Sequence, residues 1–173
     1  KTPEAEKALR KVISIKPDFP QAYLLLGIIM YHKKNITTAL DLFNKAIKIN
    51  PSFAEAYNNL GSIQKEQGDY FDAEHSIRKA IDINPDICEP YNNLGSVLHK
   101  QGRLKEAEKI IKKSIKIKAN NCMAYLNLGA VLMDQGRLEE AETAIKQSIK
   151  LNPNIGMAYA NLSQIENFKG DKT

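Results

Sequence analysis

The amino-acid sequence predicts an all-α protein, an α-solenoid built from stacked antiparallel helix hairpins. The first observation is the triplet Asn-Leu-Gly, which stands at 59–61, 93–95 and 127–129, a fixed step of 34 residues. Variants of it, Leu-Leu-Gly and Asn-Leu-Ser, stand one step earlier at 25–27 and one step later at 161–163. The second observation is a composition of 43% hydrophobic and 26% charged residues, which is typical of a folded soluble protein. A step of this size indicates an array of small units that bury their apolar faces against one another.

Each unit contains two helical patterns, which are clearest in residues 54–87. Ala54 to Gln67 carries apolar residues at helical spacing, and Gly68 favours the left-handed conformation that ends a helix. Tyr70 to Ile83 repeats this spacing and is stopped by Pro85, which has no amide hydrogen to donate. The same pattern divides the whole chain. We expect the second helix of a preceding unit at 1–19, complete units at 20–53, 54–87, 88–121 and 122–155, and the first helix of a following unit at 156–173.

The residues that recur resemble the tetratricopeptide repeat family, whose pattern is an aromatic residue, Leu-Gly, an alanine, a large residue and a proline. In one unit these are Tyr57, Leu60, Gly61, Ala73, Ile77 and Pro85. The resemblance covers the whole chain, although Ala119 stands where the third unit should have its proline. It implies a right-handed superhelix whose first helices line a concave groove, and it implies a non-catalytic protein that binds partners there.

The resemblance also implies which side chains line that groove. The polar ones are Asn58, Asn59, Lys65, Asn92, Asn93, His99, Asn127 and Asn161. The apolar ones are Leu24, Leu25, Ile28 and Tyr31 at one end, and Met123, Leu126 and Met133 at the other. Apolar patches rimmed by polar residues can anchor large side chains of a partner. The alternative for Leu24 and Leu25 is that a preceding repeat covers them.

Asn59, Asn93, Asn127 and Asn161 occupy one position of successive first helices and form a predicted ladder. Asparagine carries two donors and an acceptor, which suits it to hold the backbone amides of an extended peptide. The alternative is that these side chains bond to a neighbouring helix and set the geometry of the superhelix. The ladder is similar to the repeats of O-linked N-acetylglucosamine transferases.

In some members of this family, a clamp of basic residues binds the C-terminal carboxylate of heat-shock chaperones. The first lysine of that clamp is absent here, so an adaptor of this kind is disfavoured. The expected positions of that lysine hold Leu24, Asn58, Asn92 and Leu126. The sequence also contains no glycine-rich phosphate loop, no His-Glu-x-x-His pair and no Cys-x-x-Cys site. We therefore expect no catalysis, no metal and no cofactor within these residues. Cys88 and Cys122 lie one repeat apart, so their helices are about 8–10 Å apart, too far for a disulfide.

The net charge of +5 is concentrated in one repeat. Between Lys100 and Lys118 there are eight basic residues, opposed only by Glu106 and Glu108. Most of them lie on a second helix, and no aromatic residue interleaves with the lysines as a binder of single-stranded nucleic acid requires. We interpret this stretch as a solvated surface, which disfavours a nucleic-acid partner.

The longest apolar run, Leu24 to Tyr31, has eight residues, whereas a membrane span needs about 20. No targeting segment is visible, so a cytoplasmic location is expected. The chain begins at Lys1 in the middle of a repeat and reads as a piece of a longer protein.

Three hypotheses of function remain. The leading one is a protein-interaction scaffold that binds an extended peptide in the groove. The second is a substrate-recruiting segment of a larger enzyme, such as a glycosyltransferase. The third is a scaffold that assembles end to end, because Leu162, Ile165 and Phe168 would present apolar surface on the last helix.

Overall fold

The computed structural model describes the backbone of residues 2–170 and the side chains of residues 3–168. Lys1 and residues 171–173, which belong to the predicted terminal segments, lie outside this range. All regular structure in the range is helical. The helices are α1 (Thr2–Ile15), α2 (Pro20–His32), α3 (Ile36–Ile49), α4 (Ala54–Gln67), α5 (Tyr70–Ile83), α6 (Cys88–Lys100), α7 (Leu104–Ile117), α8 (Cys122–Asp134), α9 (Leu138–Leu151) and α10 (Gly156–Gly170). The predicted all-α hairpin solenoid is confirmed.

The chain divides into two compact units, Lys1–Pro85 and Asp86–Thr173. In the first unit α2 pairs with α3 and α4 pairs with α5, while α1 packs on α2 and α3 packs on α4. In the second unit α6 pairs with α7 and α8 pairs with α9, while α7 packs on α8 and α10 packs on α9. Each hairpin therefore covers its apolar face with a helix of its neighbour, as expected for stacked repeats.

The helix ends predicted in residues 54–87 are confirmed. The first helix is Ala54–Gln67, and Gly68 ends it with a φ of 90° in the left-handed region. The second helix is Tyr70–Ile83. A residue with a Cβ is strained at this φ, which explains the glycine in this turn.

The two helices of a hairpin approach closely at the glycine of the repeated triplet. A Cβ added to Gly61 would lie 2.5 Å from Cγ1 of Ile77 and 3.0 Å from the carbonyl oxygen of Ala73. A Cβ added to Gly129 would overlap Cγ1 of Ile145 in the same way and lie 3.1 Å from its Cδ1. The prediction that small residues mark the close approach is confirmed.

Buried serines add a polar tie to both hairpins of the second unit. Ser114 Oγ donates to the carbonyl oxygen of Cys88 at 2.8 Å, and Ser148 Oγ donates to that of Cys122 at 2.8 Å. Both serines are fully buried, so these bonds satisfy hydroxyls that would otherwise destabilise the core. Cys88 and Cys122 are free thiols, and burial raises the pKa of Cys88.

Candidate functional site

The candidate site lies on the first helices of the hairpins. We call their exposed side the first-helix face of each unit: that of α2 and α4 in the first unit, and that of α6, α8 and α10 in the second. In the first unit this face contains a cavity of about 230 Å³. Its lining residues are Ile28, Tyr31, His32, Phe43, Asn59, Ser62 and Ile63. The fold therefore brings together three predicted groove residues, Ile28, Tyr31 and Asn59, from two different helices.

One wall of this cavity is fixed by a bond between the two first helices. Tyr31 Oη donates to the Glu66 carboxylate, at 2.7 Å from Oε1 and 2.8 Å from Oε2. The hydrogen bond to Glu66 raises the pKa of Tyr31, with burial as the next cause. The phenol is held in one orientation at neutral pH, and α2 is joined to α4 near their carboxyl ends.

Asn59 is half-buried in the other wall. Its Nδ2 atom donates to the carbonyl oxygen of Glu55, one turn earlier on the same helix, at 2.7 Å. Its Oδ1 atom accepts no hydrogen bond from the described residues. This amide thus keeps an acceptor and a second N–H for a ligand.

In the second unit the corresponding asparagine bonds to a neighbouring helix. Asn127 Nδ2 donates to Oδ1 of Asn92 at 3.0 Å, which joins α8 to α6. The interpretation of the ladder as a scaffold element therefore holds for Asn127. The other predicted polar residues are all half-buried: Asn58, Lys65, Asn92, Asn93, His99 and Asn161.

Two predicted groove residues are instead part of the core. Leu24 is 9% exposed and belongs to the buried cluster of the first unit, and Leu126 is 1% exposed. Their position faces the neighbouring helix, so an apolar side chain there packs inward rather than towards water. The prediction that they line the groove is wrong.

The apolar patches of the face are correspondingly smaller than predicted. Leu25 is 50% exposed, while Ile28 and Tyr31 are half-buried beside it. In the second unit Met123 is 43% exposed and Met133 is half-buried. These five predicted side chains are apolar groups that a partner on the first-helix face can contact.

A second contact between an aromatic side chain and a carboxylate was not predicted from the sequence. His99 Nε2 lies 2.7 Å from Oδ2 of Asp134, and the two residues are 35 positions apart, as are Tyr31 and Glu66. The same offset places both pairs at one register of the repeat. A search for a polar aromatic side chain followed at 35 residues by a carboxylate finds both.

The described residues contain no group of three or more histidine, cysteine, aspartate or glutamate side chains arranged to hold a metal ion. In the same part of the chain, every helix is too short or too polar to cross a bilayer. The chemistry of the first-helix face is that of amide, phenol, imidazole and thioether groups, which bind by hydrogen bonds and apolar contact.

A family model describes this sequence over nearly its whole length. The model of the cilia and flagella-associated protein 70 C-terminal domain matches residues 1–169. No curated protein sequence matches the chain significantly.

Solved structures share the fold. The structure of YrrB, described as a tetratricopeptide repeat protein with an unusual peptide-binding site, has a TM-score of 0.75 and 22% identity over 95% of this chain and 85% of that one. A structure of MamA has a TM-score of 0.73 and 25% identity over 86% of each chain. The pilF protein of Pseudomonas aeruginosa has a TM-score of 0.85 and 20% identity over 99% of this chain and 78% of that one.

Proposed function

This chain belongs to the tetratricopeptide repeat family of the cilia and flagella-associated protein 70 C-terminal domain, and from that membership we propose a specific function. It is a non-catalytic scaffold that binds an extended peptide segment of a partner protein on its first-helix face. Membership supports a protein-interaction scaffold in general. The side chains of the first-helix face support the peptide as the ligand and its place on the surface.

The observation that carries the proposal is the cavity on the first-helix face of the first unit. It combines the unsatisfied Oδ1 of Asn59 with the apolar edge of Ile28 and the fixed ring of Tyr31. An extended peptide offers a backbone N–H to an amide oxygen and a side chain to an apolar recess at the same time. A cavity of about 230 Å³ accommodates a peptide side chain rather than a cofactor.

The second unit supplies adaptable apolar contacts on its own first-helix face. Met123 and Met133 are accessible, and methionine side chains adjust to partners of different shape. Asn93 and Asn161 lie at the ladder position and are half-buried. Asn127 has a smaller part in binding, because Asn92 already occupies one of its donors.

A protein of the same fold and the name of the family both support the proposal. YrrB shares the fold and is described by its peptide-binding site. The family name refers to cilia and flagella, which supports a partner that is a component of those organelles and a site of action continuous with the cytoplasm. Imaging of the tagged chain in ciliated cells tests this part, and a signal that never enriches in cilia contradicts it.

The binding surface is tested with the double variant Asn59→Ala/Asn93→Ala. A displayed library of unstructured 15-residue peptides is selected on the wild-type chain, and the affinities of the enriched peptides are measured by fluorescence anisotropy. We expect the double variant to weaken binding by about tenfold, which corresponds to the loss of one or two hydrogen bonds.

The matched control is Asn44→Ala/Asn120→Ala, which removes two exposed asparagines outside the first-helix face. Helical circular dichroism and the melting temperature of both variants are compared with wild type. If all three proteins bind the enriched peptides with equal affinity, Asn59 and Asn93 are not part of the binding site.

A second candidate function, end-to-end self-assembly, is favoured by the apolar residues of the terminal helices. Ile15 of α1 is 74% exposed, and Met157 of α10 is 65% exposed. Ile165, for which the sequence predicts a place on that surface, is fully buried, whereas Phe168 is 49% exposed. Sedimentation velocity of wild type and Met157→Lys over a hundredfold concentration range tests it, because a strict monomer at all concentrations contradicts assembly.

A further inference from the structure

The outer side of α7 carries a row of lysines that the proposed function does not use. We call it the lysine stripe; its members are Lys105, Lys109, Lys112 and Lys116. The spacing of four, three and four residues places them along one side of the helix. All four are exposed, whereas Ala107 and Ile111 on the opposite side are fully buried.

Most of this charge has no partner in the described part of the chain. Lys112 Nζ lies 2.6 Å from Oε1 of Glu108, but Lys105, Lys109 and Lys116 form no ion pair with any described residue. The equivalent positions of α9, one repeat later, are Glu139, Thr143, Lys146 and Lys150. The lysine stripe is therefore a property of α7 and not of the repeat.

An apolar groove lies next to the stripe, on the second-helix side of the second unit. It has a volume of about 490 Å³ and runs between α7 and α9, with α8 as its floor. We call it the second-helix groove; its lining residues are Lys112, Tyr125, Leu128, Leu132, Glu139, Glu140, Thr143, Ala144 and Gln147. Lys112 thus belongs to both features and joins them into one surface.

The groove is open because a small residue stands in its wall. Ala144 occupies the position that holds Ile110 one repeat earlier, Ser76 two repeats earlier and Leu42 three repeats earlier. A larger side chain at position 144 would extend into the space that Tyr125 and Leu132 border. The size of the side chain at this position varies between repeats, and in this repeat a small one lines the groove.

We propose that the lysine stripe and the second-helix groove together dock an acidic amphipathic helix of a partner protein. The apolar side chains of that helix enter the groove at i, i+3, i+4 and i+7 spacing, as in other helix-in-groove complexes. Its carboxylates lie along one flank and face Lys105, Lys109 and Lys116. This charge complementarity orients the partner helix and speeds its association.

The second wall of the groove distinguishes a protein helix from other anionic partners. Glu139 and Glu140 lie across the groove from Lys112 and would repel the phosphates of a nucleic acid. Glu140 is held by Arg137 at 2.6 Å, while Glu139 is exposed. The apolar residues are recessed rather than protruding, which does not suit insertion into a bilayer. A helix with acidic residues along a single flank fits both walls of the groove.

The test uses a displayed library of helix-forming 18-residue peptides with random surface positions, selected on the 173-residue chain. We expect enriched peptides to combine a helical apolar stripe with acidic residues on one flank. Their affinity is then measured by fluorescence anisotropy at 50 and 300 mM salt, where screening of exposed charges weakens binding at the higher concentration.

Two variants test the two halves of the surface. Lys105→Glu/Lys109→Glu/Lys116→Glu reverses the stripe, and Ala144→Leu fills the groove without changing charge. Each should weaken the enriched peptides by about tenfold or more. The control Lys45→Glu/Lys48→Glu/Lys79→Glu makes the same charge change at exposed lysines of the first unit and should bind as wild type. If Ala144→Leu fails to fold by circular dichroism, Thr143→Trp on the same wall replaces it, because it also fills the groove without changing charge.

The proposal is overturned if the enriched peptides lack the acidic flank, or if they bind the stripe or groove variants as tightly as wild type. A single-stranded oligonucleotide and phosphatidylserine vesicles are measured as competing ligands. The proposal is also overturned if either binds more tightly than the peptides, and if its affinity falls on reversal of the lysine stripe but not with Ala144→Leu. That result would make the stripe a general polyanion surface. None of these outcomes depends on the Asn59→Ala/Asn93→Ala experiment on the first-helix face.

Discussion

Asn127 donates its side-chain N–H to the side-chain oxygen of Asn92 at 3.0 Å, and this bond joins α8 to α6. Both residues are half-buried, so the bond replaces water on each side. Asn59, at the same position of an earlier repeat, bonds to its own helix instead. Residues that are identical and two repeats apart thus differ in how much hydrogen-bonding capacity they offer to a partner.

The Asn92–Asn127 bond predicts a measurable coupling between the two positions. In a double-mutant cycle of Asn92→Ala and Asn127→Ala, the interaction energy from urea unfolding should be about 0.5–1.5 kcal/mol. Asn92→Ala combined with Asn120→Ala, an exposed turn residue, should show additive effects. A coupling of zero in the first cycle would mean that the bond does not stabilise the protein.

The close approach at Gly95 predicts a large effect of a side chain there. A Cβ on Gly95 would overlap Cγ1 of Ile111 and lie 3.0 Å from its Cδ1. Gly95→Leu should therefore lower the free energy of unfolding by about 1–3 kcal/mol, the usual range for overpacking. Gly156→Leu is the matched control, because no atom lies within 4 Å of a Cβ at that position. Equal melting temperatures of the two variants would place the hairpin contact elsewhere.

The helices and their ends were predictable because their causes are local in sequence. Gly68 ends α4 through its own backbone conformation, and the Gly61–Ile77 approach recurs wherever the repeat does. The fold class follows from such positions without knowledge of any long-range contact. Repetition also makes each prediction testable several times within one chain.

The site was less predictable because exposure depends on what the neighbouring helix places nearby. Leu24 and Leu126 hold a position that holds asparagine in the middle repeats, and the sequence pattern alone does not tell which of them is covered. The partner of Asn127 depends on side-chain rotamers across 35 residues. The second-helix groove was not predicted for another reason: Ala144 in its wall stands at a position where the size of the residue varies between repeats, from Ser76 to Leu42 and Ile110.

Two tyrosines at the same repeat position predict opposite responses to loss of the hydroxyl. Tyr23 Oη donates to the carbonyl oxygen of Pro17 at 3.0 Å, whereas the buried Oη of Tyr91 has no partner among the described residues. Tyr23→Phe should lower the free energy of unfolding by about 0.5–1.5 kcal/mol. Tyr91→Phe should leave it unchanged or raise it, because a buried hydroxyl without a bond is itself unfavourable. Thermal unfolding of both variants under the same conditions measures the two changes. Equal losses of unfolding free energy would show that the Tyr91 hydroxyl has a hydrogen-bonding partner in solution.

The Glu108 carboxylate predicts a loss of stability in acid. Hydrogen bonds from Lys112 and then from Arg137 hold its pKa down at about 2, against an ordinary value of 4.5. Arg137 Nη1 lies 2.7 Å from Oε2 of Glu108 and ties α9's start to α7. Because the pKa is lower in the folded protein than in the unfolded chain, the ionised group stabilises the fold above about pH 5. This contribution is lost as the pH falls towards 2.

Glu108→Gln isolates that contribution. At pH 7 it should lower the free energy of unfolding by about 1–2 kcal/mol, a value that allows for the solvent exposure of Lys112 and Arg137. The difference from wild type should shrink below pH 5 and vanish near pH 2, because protonation then removes the same charge from the wild-type protein. Glu139→Gln, an exposed carboxylate without an ion pair to any described residue, should follow wild type at every pH. Urea unfolding from pH 7 to pH 2 measures all three proteins, and a Glu108→Gln difference that stays constant with pH would show that the ion pairs do not contribute.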